Sequence, residues 1–456
     1  MARAKKEAAL TPEERLQAAL VPDWERPYKL PGNWCWTRMQ EIAQWGSGGT
    51  PSRKVSEYYN GDISWVKTGE LNDDYIFETE EHITQEAISH SSAKIYPTDT
   101  VVIAMYGATI GKVGILGIPA ATNQACACAI VKPSTDYKYL FYYAQSQKDD
   151  FIKKGKGGAQ PNISQEIIKF HQFPLPPLAE QQRIVDRIES LFTKLDEAKE
   201  KAQAVVDSFE TRKAAILHKA FTGELTAKWR EEHGVRMESW EQCSLSDVCT
   251  VNPKKADTKD LPDELEVSFF PMPALSEIYG EITDPQTRLL KEVRSGFTNF
   301  SEGDVVFAKI TPCMENGKSA VVGKLVNDIG YGTTEFFVLR CSDRLYNRFL
   351  YHLVRDKLFR DKAKAVMAGA VGQQRVPKRY LETYKLNLPK FNEQREIVRI
   401  LDGSFAKEQQ TKEAAEAVLD QIDLMKKSIL ARAFRGELGT NDPSEESAVE
   451  LLKQII

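Results

Sequence analysis

Residues 180–225 (EQQRIVDRIESLFTKLDEAKEKAQAVVDSFETRKAAILHKAFTGEL) and residues 393–438 (EQREIVRILDGSFAKEQQTKEAAEAVLDQIDLMKKSILARAFRGEL) are two copies of one segment. They align without a gap at an offset of 213 and are identical at 20 of 46 positions. This repeat indicates that the chain is a tandem duplication whose halves can be compared with each other. A protein with two similar halves usually binds a partner that also has two similar parts.

Both copies carry a heptad pattern that predicts long helices. Apolar residues recur at alternating steps of four and three, and charged residues fill the other positions. Gly223 stands where a glycine would end the first helix. The polar residues Ser404, Glu408 and Thr411 interrupt the second copy, where Phe405 can compensate. We expect the helices to pair as an antiparallel coiled coil; the alternative is two amphipathic helices, each packed on its own domain. The predicted seam is Ile184, Ile188, Leu191, Leu195, Ala198, Ala202, Val205, Phe209, Ile397, Leu401, Val418, Ile422, Met425 and Ile429.

The rest of the chain consists mainly of two regions with short predicted strands, glycines and prolines. Val101–Ala104 matches Val305–Ala308, and Ile110–Lys112 matches Asn316–Lys318, whereas the intervening loops diverge. The predicted fold class is therefore α+β, a pseudo-twofold tandem repeat of two mixed α/β domains separated by two long helices that form an antiparallel coiled coil. The predicted segments are a helical lead-in at 1–30, a domain at 31–175, a helix at 176–230, a domain at 237–388, a helix at 389–438 and a helical tail at 439–456.

Composition restricts the class of protein. The chain has 456 residues, 42% of them apolar, and no apolar run long enough to cross a membrane. Its seven cysteines are scattered without a CxxC pair, which favours a reducing cytoplasm, and Cys126 and Cys128 are expected to pack in the core on one face of a strand. The net charge of −4 is unusual for a protein that binds duplex DNA. Contacts with DNA would have to come from local clusters or be shared with more basic subunits.

Two short helices are predicted from capping boxes near the ends of the sequence. Thr11-Pro12-Glu13-Glu14 predicts a helix over about 11–20, with Thr11 as its N-cap. Asp442-Pro443-Ser444-Glu445 predicts a second box, followed by a helix over 447–456 whose apolar side needs a docking surface.

Motifs of catalysis are not matched. The stretches 107–112 and 312–319 resemble a phosphate-binding loop, but each lacks a required residue: Val113 replaces the hydroxyl, and Pro312 replaces the first glycine. Asn252-Pro253-Lys254 lacks the second proline and the aromatic residue of an amino-methyltransferase loop. The histidines show no metal-binding spacing. We therefore predict no catalytic residue and no metal site in this chain.

The loops instead carry side chains that suit nucleic acid. Lysine and arginine bind phosphate or guanine, asparagine and glutamine suit adenine, and hydroxyls bind phosphate. Each loop alone can equally be a solvated turn, but similar loops recur at matching places in both halves. Glu315 and Glu335 could accept from a cytosine amino group or hold a loop lysine. The predicted DNA contacts are Thr50, Ser52, Arg53, Lys54, Lys67, Thr68, Tyr106, Thr109, Lys112, Lys154, Lys156, Gln160, Asn162, Asn252, Lys254, Lys255, Lys309, Thr311, Asn316, Lys318, Gln373, Gln374 and Arg375.

Several stretches carry a family resemblance. PPLAEQQRIV at 176–185 and NEQREIV at 392–398, with AFTGEL at 220–225 and AFRGEL at 433–438, resemble the specificity subunit of type I restriction–modification enzymes. The sequence GGTPS at 48–52 with WVKTG at 65–69 is similar to one recurrent target-recognition domain of that family. Residues 307–318 with TTEF at 333–336 are similar to another.

The resemblance implies a non-catalytic function. Each target-recognition domain would read one half of a bipartite, asymmetric site in double-stranded DNA, and the coiled coil would fix the gap. The chain would bind no cofactor itself. It would recruit two methyltransferase subunits, which use S-adenosylmethionine, and two motor-nuclease subunits, which use ATP and Mg²⁺. The competing hypotheses are a coiled-coil assembly scaffold and an enzyme with a divergent active site. Sequence-selective DNA retention that needs the methyltransferase would favour the specificity subunit.

Overall fold

The computed structural model describes residues 11–155, 162–277, 280–370 and 372–456. The chain divides into two compact units. Unit 1 comprises residues 1–201 and 418–456, and unit 2 comprises residues 202–417. Each unit combines sheets with helices, which confirms the predicted α+β class.

Helices of very different length occur along the chain. The α-helices are α1 (Pro12–Ala19), α2 (Met39–Ile42), α3 (Gln85–Ser89), α4 (Tyr137–Ser146), α5 (Lys148–Lys154), α6 (Gln165–Lys169), α7 (Leu178–Asp207), α8 (Phe209–Phe221), α9 (Ala227–Glu232), α10 (Leu290–Val293), α11 (Asn347–Arg355), α12 (Lys357–Ala365), α13 (Lys378–Thr383), α14 (Phe391–Ala433) and α15 (Ala448–Lys453). Short 3₁₀ helices cover Asp23–Glu25, Ser56–Tyr58, Thr68–Glu70, Gly107–Thr109, Met237–Ser239, Leu245–Asp247, Met272–Ala274 and Val326–Asp328.

Unit 1 contains a central five-stranded sheet in the order β2-β10-β7-β8-β4, a four-stranded sheet in the order β5-β3-β9-β6, and the pair β1-β11. These strands are β1 (Cys35–Arg38), β2 (Ala43–Ser47), β3 (Tyr59–Val66), β4 (Asp74–Ile76), β5 (His82–Ile83), β6 (Ile95–Tyr96), β7 (Val101–Ala104), β8 (Val113–Leu116), β9 (Ala120–Thr122), β10 (Cys126–Val131) and β11 (Gln172–Leu175).

The central sheet of unit 1 is buried on both faces. Val101 and Ile103 belong to the core shared with α4 and α7, whereas Val102 and Ala104 belong to a second core that includes residues of the other sheet. This alternation follows from the two-residue period of a strand. Cys126 and Cys128 lie in the second core, fully buried, as their spacing predicted.

Unit 2 repeats this arrangement with four-stranded sheets in the orders β13-β20-β17-β18 and β15-β14-β19-β16, and the pair β12-β21. These strands are β12 (Glu241–Ser244), β13 (Cys249–Val251), β14 (Glu266–Phe270), β15 (Gln286–Leu289), β16 (Thr298–Phe300), β17 (Val305–Ala308), β18 (Ser319–Val321), β19 (Gly330–Gly332), β20 (Phe336–Cys341) and β21 (Lys385–Leu388). Val305 and Phe307 again face the helical core, and Val306 faces the other core. The predicted correspondence of β7 with β17 is confirmed.

The long helices pair with each other within each unit. In unit 1, the ammonium of Lys199 on α7 lies 3.3 Å from a carboxylate oxygen of Asp423 on α14, and Asp196 lies 2.5 Å from Lys426. In unit 2, Arg212 on α8 donates to Glu408 on α14 at 2.7 Å. In unit 1, the partner's number on α14 rises as the number on α7 falls, so these segments run antiparallel.

Two predicted seam residues on α14 are exposed, and those predictions are wrong. Val418 and Met425 expose 42% and 48% of their surface. The neighbouring positions, Leu419 and Lys426, are less exposed, and Lys426 lies over the ring of Phe192. The seam therefore keeps Ile422 and Ile429 but runs through Leu419 and Lys426 in place of Val418 and Met425. Of the other predicted seam positions, Ile184, Ile188, Ala202, Phe209, Ile397, Leu401 and Ile422 are buried, and Leu191, Leu195, Ala198, Val205 and Ile429 are partly buried.

The first long helix is interrupted at Ser208, which the heptad pattern did not predict. The Ser208 hydroxyl donates to the carbonyl of Ala204 at 2.6 Å and also contacts Arg212. A serine bonded back to the carbonyl four residues earlier bends a helix. The helix then ends where it was predicted, because Gly223 has a φ of +83°.

The two predicted capping boxes have different outcomes. Thr11 and Glu14 cap α1 reciprocally, as expected. The box at Asp442 is wrong, because Asp442 accepts from the amide of Ser444 and α15 is capped instead by Ser447. Within unit 1, α15 docks through Leu452 on the helical core, which supplies the surface that this apolar side required.

A buried carboxylate begins the repeated segment in unit 2. Glu393 is 1% exposed and accepts hydrogen bonds from Arg230 at 2.7 Å, Thr226 at 2.7 Å and the indole of Trp240 at 2.9 Å. Glu180 takes the matching place in unit 1, where Thr440 and Arg183 donate to it. These contacts explain why Glu180 and Glu393 are identical in the two copies.

Among the described ranges, no helix is long and apolar enough to cross a membrane. The same part of the chain contains no group of three or more His, Cys, Asp or Glu residues able to hold a metal ion.

Candidate nucleic-acid interface

Several predicted loops of unit 1 meet at one edge of the central sheet. Strand β2 ends there at Ser47, β10 begins opposite it, and β7 ends opposite Cys126, as the pairs Ala127–Ser47 and Cys126–Ala104 show. Residues 67–70 join this edge because the Asn123 amide donates to the carbonyl of Val66 at 2.9 Å. We call residues 48–54, 67–70, 105–112, 123–125 and 162 the first loop edge.

The loop after β7 has a fixed backbone. Gly111 adopts a φ of +75°, and the carbonyl of Lys112 accepts from the amide of Ala104 at 2.9 Å. The amide of Ile163 donates to the carbonyl of Met105 at 2.9 Å, which places Asn162 beside Tyr106. The predicted contacts Tyr106, Thr109, Lys112 and Asn162 are thus brought together.

Unit 2 has the same backbone at the equivalent loop. Gly317 also adopts a φ of +75°, and the amide of Ala308 donates to the carbonyl of Lys318 at 2.9 Å. The amide of Val376 donates to the carbonyl of Lys309 at 2.9 Å, so Arg375 takes the position of Asn162. We call residues 252–255, 309–318, 333–335 and 372–375 the second loop edge.

Two predicted cations of the first loop edge are held by carboxylates. Arg53 pairs with Glu81 at 2.6 Å, and Lys67 pairs with Glu81 at 3.1 Å and with Glu80 at 2.9 Å. Hydrogen bonds from Arg53 and Lys67 keep the pKa of Glu81 below its ordinary value. The Arg53 guanidinium also lies over the rings of Tyr59 and Trp65, at 4.5 and 5.1 Å. Both cations are oriented before any ligand binds.

The glycines of the first loop edge serve the protein interior. A side-chain carbon on Gly48 would collide with Thr122, and one on Gly49 would collide with residues 92–93. The indole of Trp65 donates to the carbonyl of Gly49 at 3.0 Å. Glycine is therefore required at both positions by tight internal packing.

Gln124 is a polar residue of this edge that the sequence reasoning missed. It is exposed and is hydrogen-bonded to the hydroxyl of Thr50. An alignment of β10 with β20 would have revealed it, because Gln124 then falls opposite Thr334 in the second loop edge.

The second loop edge contains a bidentate ion pair. The Nε and Nη2 atoms of Arg375 donate to the two carboxylate oxygens of Glu335 at 2.9 and 2.8 Å. These hydrogen bonds lower the pKa of Glu335. The sequence left open whether Glu315 and Glu335 accept from cytosine or hold a loop lysine. Glu335 holds an arginine rather than a lysine, and Glu315 pairs with Lys364.

Asn316 and Lys318 share an acidic neighbour. The amide of Asn316 donates to Glu277 at 3.1 Å, and the Lys318 ammonium lies 3.6 Å from the same carboxylate. Lys318 also donates to the carbonyl of Met272 at 3.4 Å. Lys112, its counterpart in unit 1, makes no side-chain hydrogen bond or ion pair with the described residues.

Of four further predicted contacts, one has a buried hydroxyl and three bond to neighbouring residues of the described chain. The Thr311 hydroxyl is buried without a hydrogen-bond partner among the described residues, so it is closed to DNA in this conformation. Asn252 accepts from the amide of Val338 at 3.0 Å, which ends β13. Thr109 donates to the carbonyl of Tyr106 at 2.7 Å. Lys154 pairs with Asp150 at 2.7 Å and contacts His171 at 3.0 Å. Burial near Lys154 lowers the pKa of His171 to about 4.

The remaining predicted contacts either are exposed to solvent or contribute to the loop through their backbone groups. Gln374 contributes its carbonyl to the amide of Thr311 at 3.0 Å, and Thr68 begins a 3₁₀ turn. The Lys309 ammonium lies 5.7 Å from the ring centre of Phe337. Lys156 and Gln160 lie outside the described residues. The exposed predicted residues include Ser52, Lys54, Lys254, Lys255 and Gln373.

The two loop edges share one backbone scaffold and present different side chains, and each unit adds a segment of paired helices. This is the architecture of a tandem recognition protein rather than of a single-site enzyme. The family model described as "Type I restriction modification DNA specificity domain" matches residues 31–206 and 237–418. The chain belongs to that family.

Named relatives agree with the family. The chain is 32% identical to the type I restriction enzyme EcoEI specificity subunit of Escherichia coli over 260 residues, which cover 48% of this chain and 43% of that protein. It is 22% identical to the EcoKI specificity subunit of Escherichia coli K12 over 453 residues, covering 94% and 96%. The chain thus spans less than half the length of the first of these relatives.

A solved chain from work on complex assembly and conformational transition of the type I R-M system has the same fold. The TM-score is 0.66 at 20% identity, and the match covers 90% of this chain and 100% of that chain.

Proposed function

We propose that this chain is the DNA sequence-specificity subunit of a type I restriction–modification enzyme. Each loop edge reads one half of a bipartite, asymmetric site in double-stranded DNA. The observation that supports this function most strongly is the pair of loop edges. The backbone groups of Met105 and Lys309 make equivalent hydrogen bonds in the two units, while the side chains around them differ. One scaffold with two sets of side chains suits two different half-sites.

The paired helices are the spacer of this proposal. Ion pairs such as Lys199–Asp423 and Arg212–Glu408 fix their register within the units. A rigid spacer makes binding of the second half-site effectively intramolecular. It also sets the number of base pairs between the half-sites.

In this proposal the chain has no catalytic activity of its own, and partner subunits that bind to it carry out catalysis. Two methyltransferase subunits, which use S-adenosylmethionine, and two motor-nuclease subunits, which use ATP and Mg²⁺, dock on the two similar halves in the cytoplasm. The partners also supply much of the phosphate neutralisation that a chain with a net charge of −4 lacks.

The test is a domain exchange with sequencing of methylated sites. Residues 31–175 are replaced by the equivalent region of another family member, and the complex with the methyltransferase is given mixed-sequence DNA. One half of the methylated site should change and the other half should stay. The reciprocal exchange of 237–388 is the matched control and should change only the other half. If either exchange altered both halves, or if the native complex methylated without sequence preference, the proposal would fail.

A further inference from the structure

The loop of unit 1 that corresponds to the second loop edge closes without an ion pair like the Glu335–Arg375 pair. In unit 1 the same backbone bonds are made with Ala125 in place of Glu335 and Asn162 in place of Arg375: Met105 donates to Ala125, and Ile163 donates to Met105, both at 2.9 Å. In unit 2, Lys309 donates to Glu335 and Val376 donates to Lys309, also at 2.9 Å. The loop therefore closes without an ion pair.

The pair is also a weak source of stability, because it lies near the surface. The side chains of Arg375 and Glu335 are 43% and 24% exposed. Exposed ion pairs contribute little to the free energy of unfolding. Its geometry is nevertheless well defined, since a bidentate carboxylate fixes both the position and the plane of a guanidinium.

The fixed guanidinium keeps donors for a ligand. Nε and Nη2 donate to Glu335, and Nη1 donates to the carbonyl of Gln373 at 3.0 Å. A guanidinium has five N–H donors, so about one donor remains on each terminal nitrogen. Two donors in one plane match the O6 and N7 acceptors that guanine presents in the major groove.

We propose that Glu335 is a specificity-determining positioning residue, which orients Arg375 to read one guanine in the half-site of unit 2. This inference rests on the proposed function and names the base that one residue pair recognises. Arg375 touches the base; Glu335 acts through Arg375 by restricting its rotation. The corresponding Ala125 and Asn162 make unit 1 unable to read its half-site in this way.

The experiment uses the full chain with its methyltransferase and compares Glu335→Ala, Arg375→Ala and Arg375→Lys with the native protein. Methylation rates are measured on the native site and on sites in which each base of both half-sites is replaced in turn. One guanine in the half-site of unit 2 should be required by the native complex, with a penalty of about 10- to 100-fold for its replacement. Glu335→Ala and Arg375→Ala should lose that penalty at that position, and Arg375→Lys should reduce it. Arg375→Lys should keep binding to unrelated DNA, because it keeps the charge but loses the planar fork.

Two further comparisons make the result specific. Glu335→Ala combined with Arg375→Ala should discriminate no worse than Arg375→Ala alone, because Glu335 acts only through the arginine. Glu241→Ala removes an exposed partner of Arg344 in the same unit and should leave every base preference unchanged. Thermal unfolding of each variant confirms that it is folded.

Three outcomes would overturn the inference. One is that the native complex requires no guanine in this half-site. Another is that Glu335→Ala and Arg375→Ala relax different positions. The third is that Glu335→Ala slows methylation equally on every site. In each case the half-site of unit 1 would still be read, so the proposed function would survive; loss of preference in both half-sites of the native complex would count against the function itself.

Discussion

Shortening both long helices by one heptad should shorten the gap between the two DNA half-sites. The perturbation removes residues 198–204 together with residues 418–424. Lys199 pairs with Asp423 at 3.3 Å, so these segments face each other. Equal deletions keep the register of the pairs on either side, Asp196–Lys426 and Arg212–Glu408.

The size of the change follows from helix geometry. Seven residues at 1.5 Å each shorten the pair by about 10 Å. At about 3.4 Å per base pair, the preferred gap should fall by about three base pairs. Removing seven residues rotates one end of a helix relative to the other by only about 20°. The domain at each helix end therefore keeps nearly the same orientation around the helix axis. Three base pairs rotate the DNA by about 100°, since a turn takes about 10 base pairs, and methylation should therefore be slower at the new optimum.

The assay gives the variant and its methyltransferase a library of DNA sites that differ only in the gap. Deletion of 198–204 alone is the matched control; it breaks the register and should abolish methylation at every gap. Insertion of matched heptads at the same place should lengthen the gap by about three base pairs. An active double-deletion variant that still prefers the native gap would refute the spacer function of the helices.

Three other predictions concern single residues. Glu393→Ala leaves the buried guanidinium of Arg230 without its carboxylate and should lower the free energy of unfolding by about 3–5 kcal/mol, measured by denaturant titration; a loss below about 1 kcal/mol would contradict the buried network. Because the folded-state pKa of His171 is lowered to about 4, the unfolded chain gains a proton first as pH falls. The protein should therefore keep this stability above about pH 6.5 and lose about 3 kcal/mol towards pH 4, and His171→Gln should show a smaller loss of stability over the same pH range. Lys112→Ala should weaken binding to all DNA sequences and reduce the salt slope by about 0.9; relaxation of a single base position instead would show that Lys112 reads a base.

The repeated helices were predictable because their signal is local. A heptad pattern needs only neighbouring residues, and the glycine at position 223 marks the end of the first helix by itself. The positions of Val418 and Met425 were not predictable in this way. The seam position depends on which face of α14 meets α7, and Lys426 packs on Phe192 and Asp196 at a place where an apolar residue was expected.

The sequence predicted which residue types the loop edges contain, but it did not predict which of their cations are paired with carboxylates. The carboxylates that hold the cations are distant in sequence: Glu81 is 28 positions from Arg53, Glu277 is 41 positions from Lys318, and Glu335 is 40 positions from Arg375. Nothing local to Arg53 or Arg375 indicates such a partner. The sequence therefore predicts which loops are rich in cations, whereas folding decides which of those cations are paired with carboxylates.

These carboxylates also bear on how an acidic chain would read DNA under the proposed function. An unpaired cation attracts every phosphate, so it strengthens binding to the correct site and to all other sites alike. A cation already held by Glu81 or Glu335 gains much less from a phosphate, and it gains most from a base whose acceptors fit its fixed donors. Specificity is the difference between the affinity for the correct site and the affinity for other sites. It rises when the affinity for other sites falls. Under the proposed function, the net charge of −4 suits a chain that discriminates between sequences while partner subunits neutralise the DNA backbone.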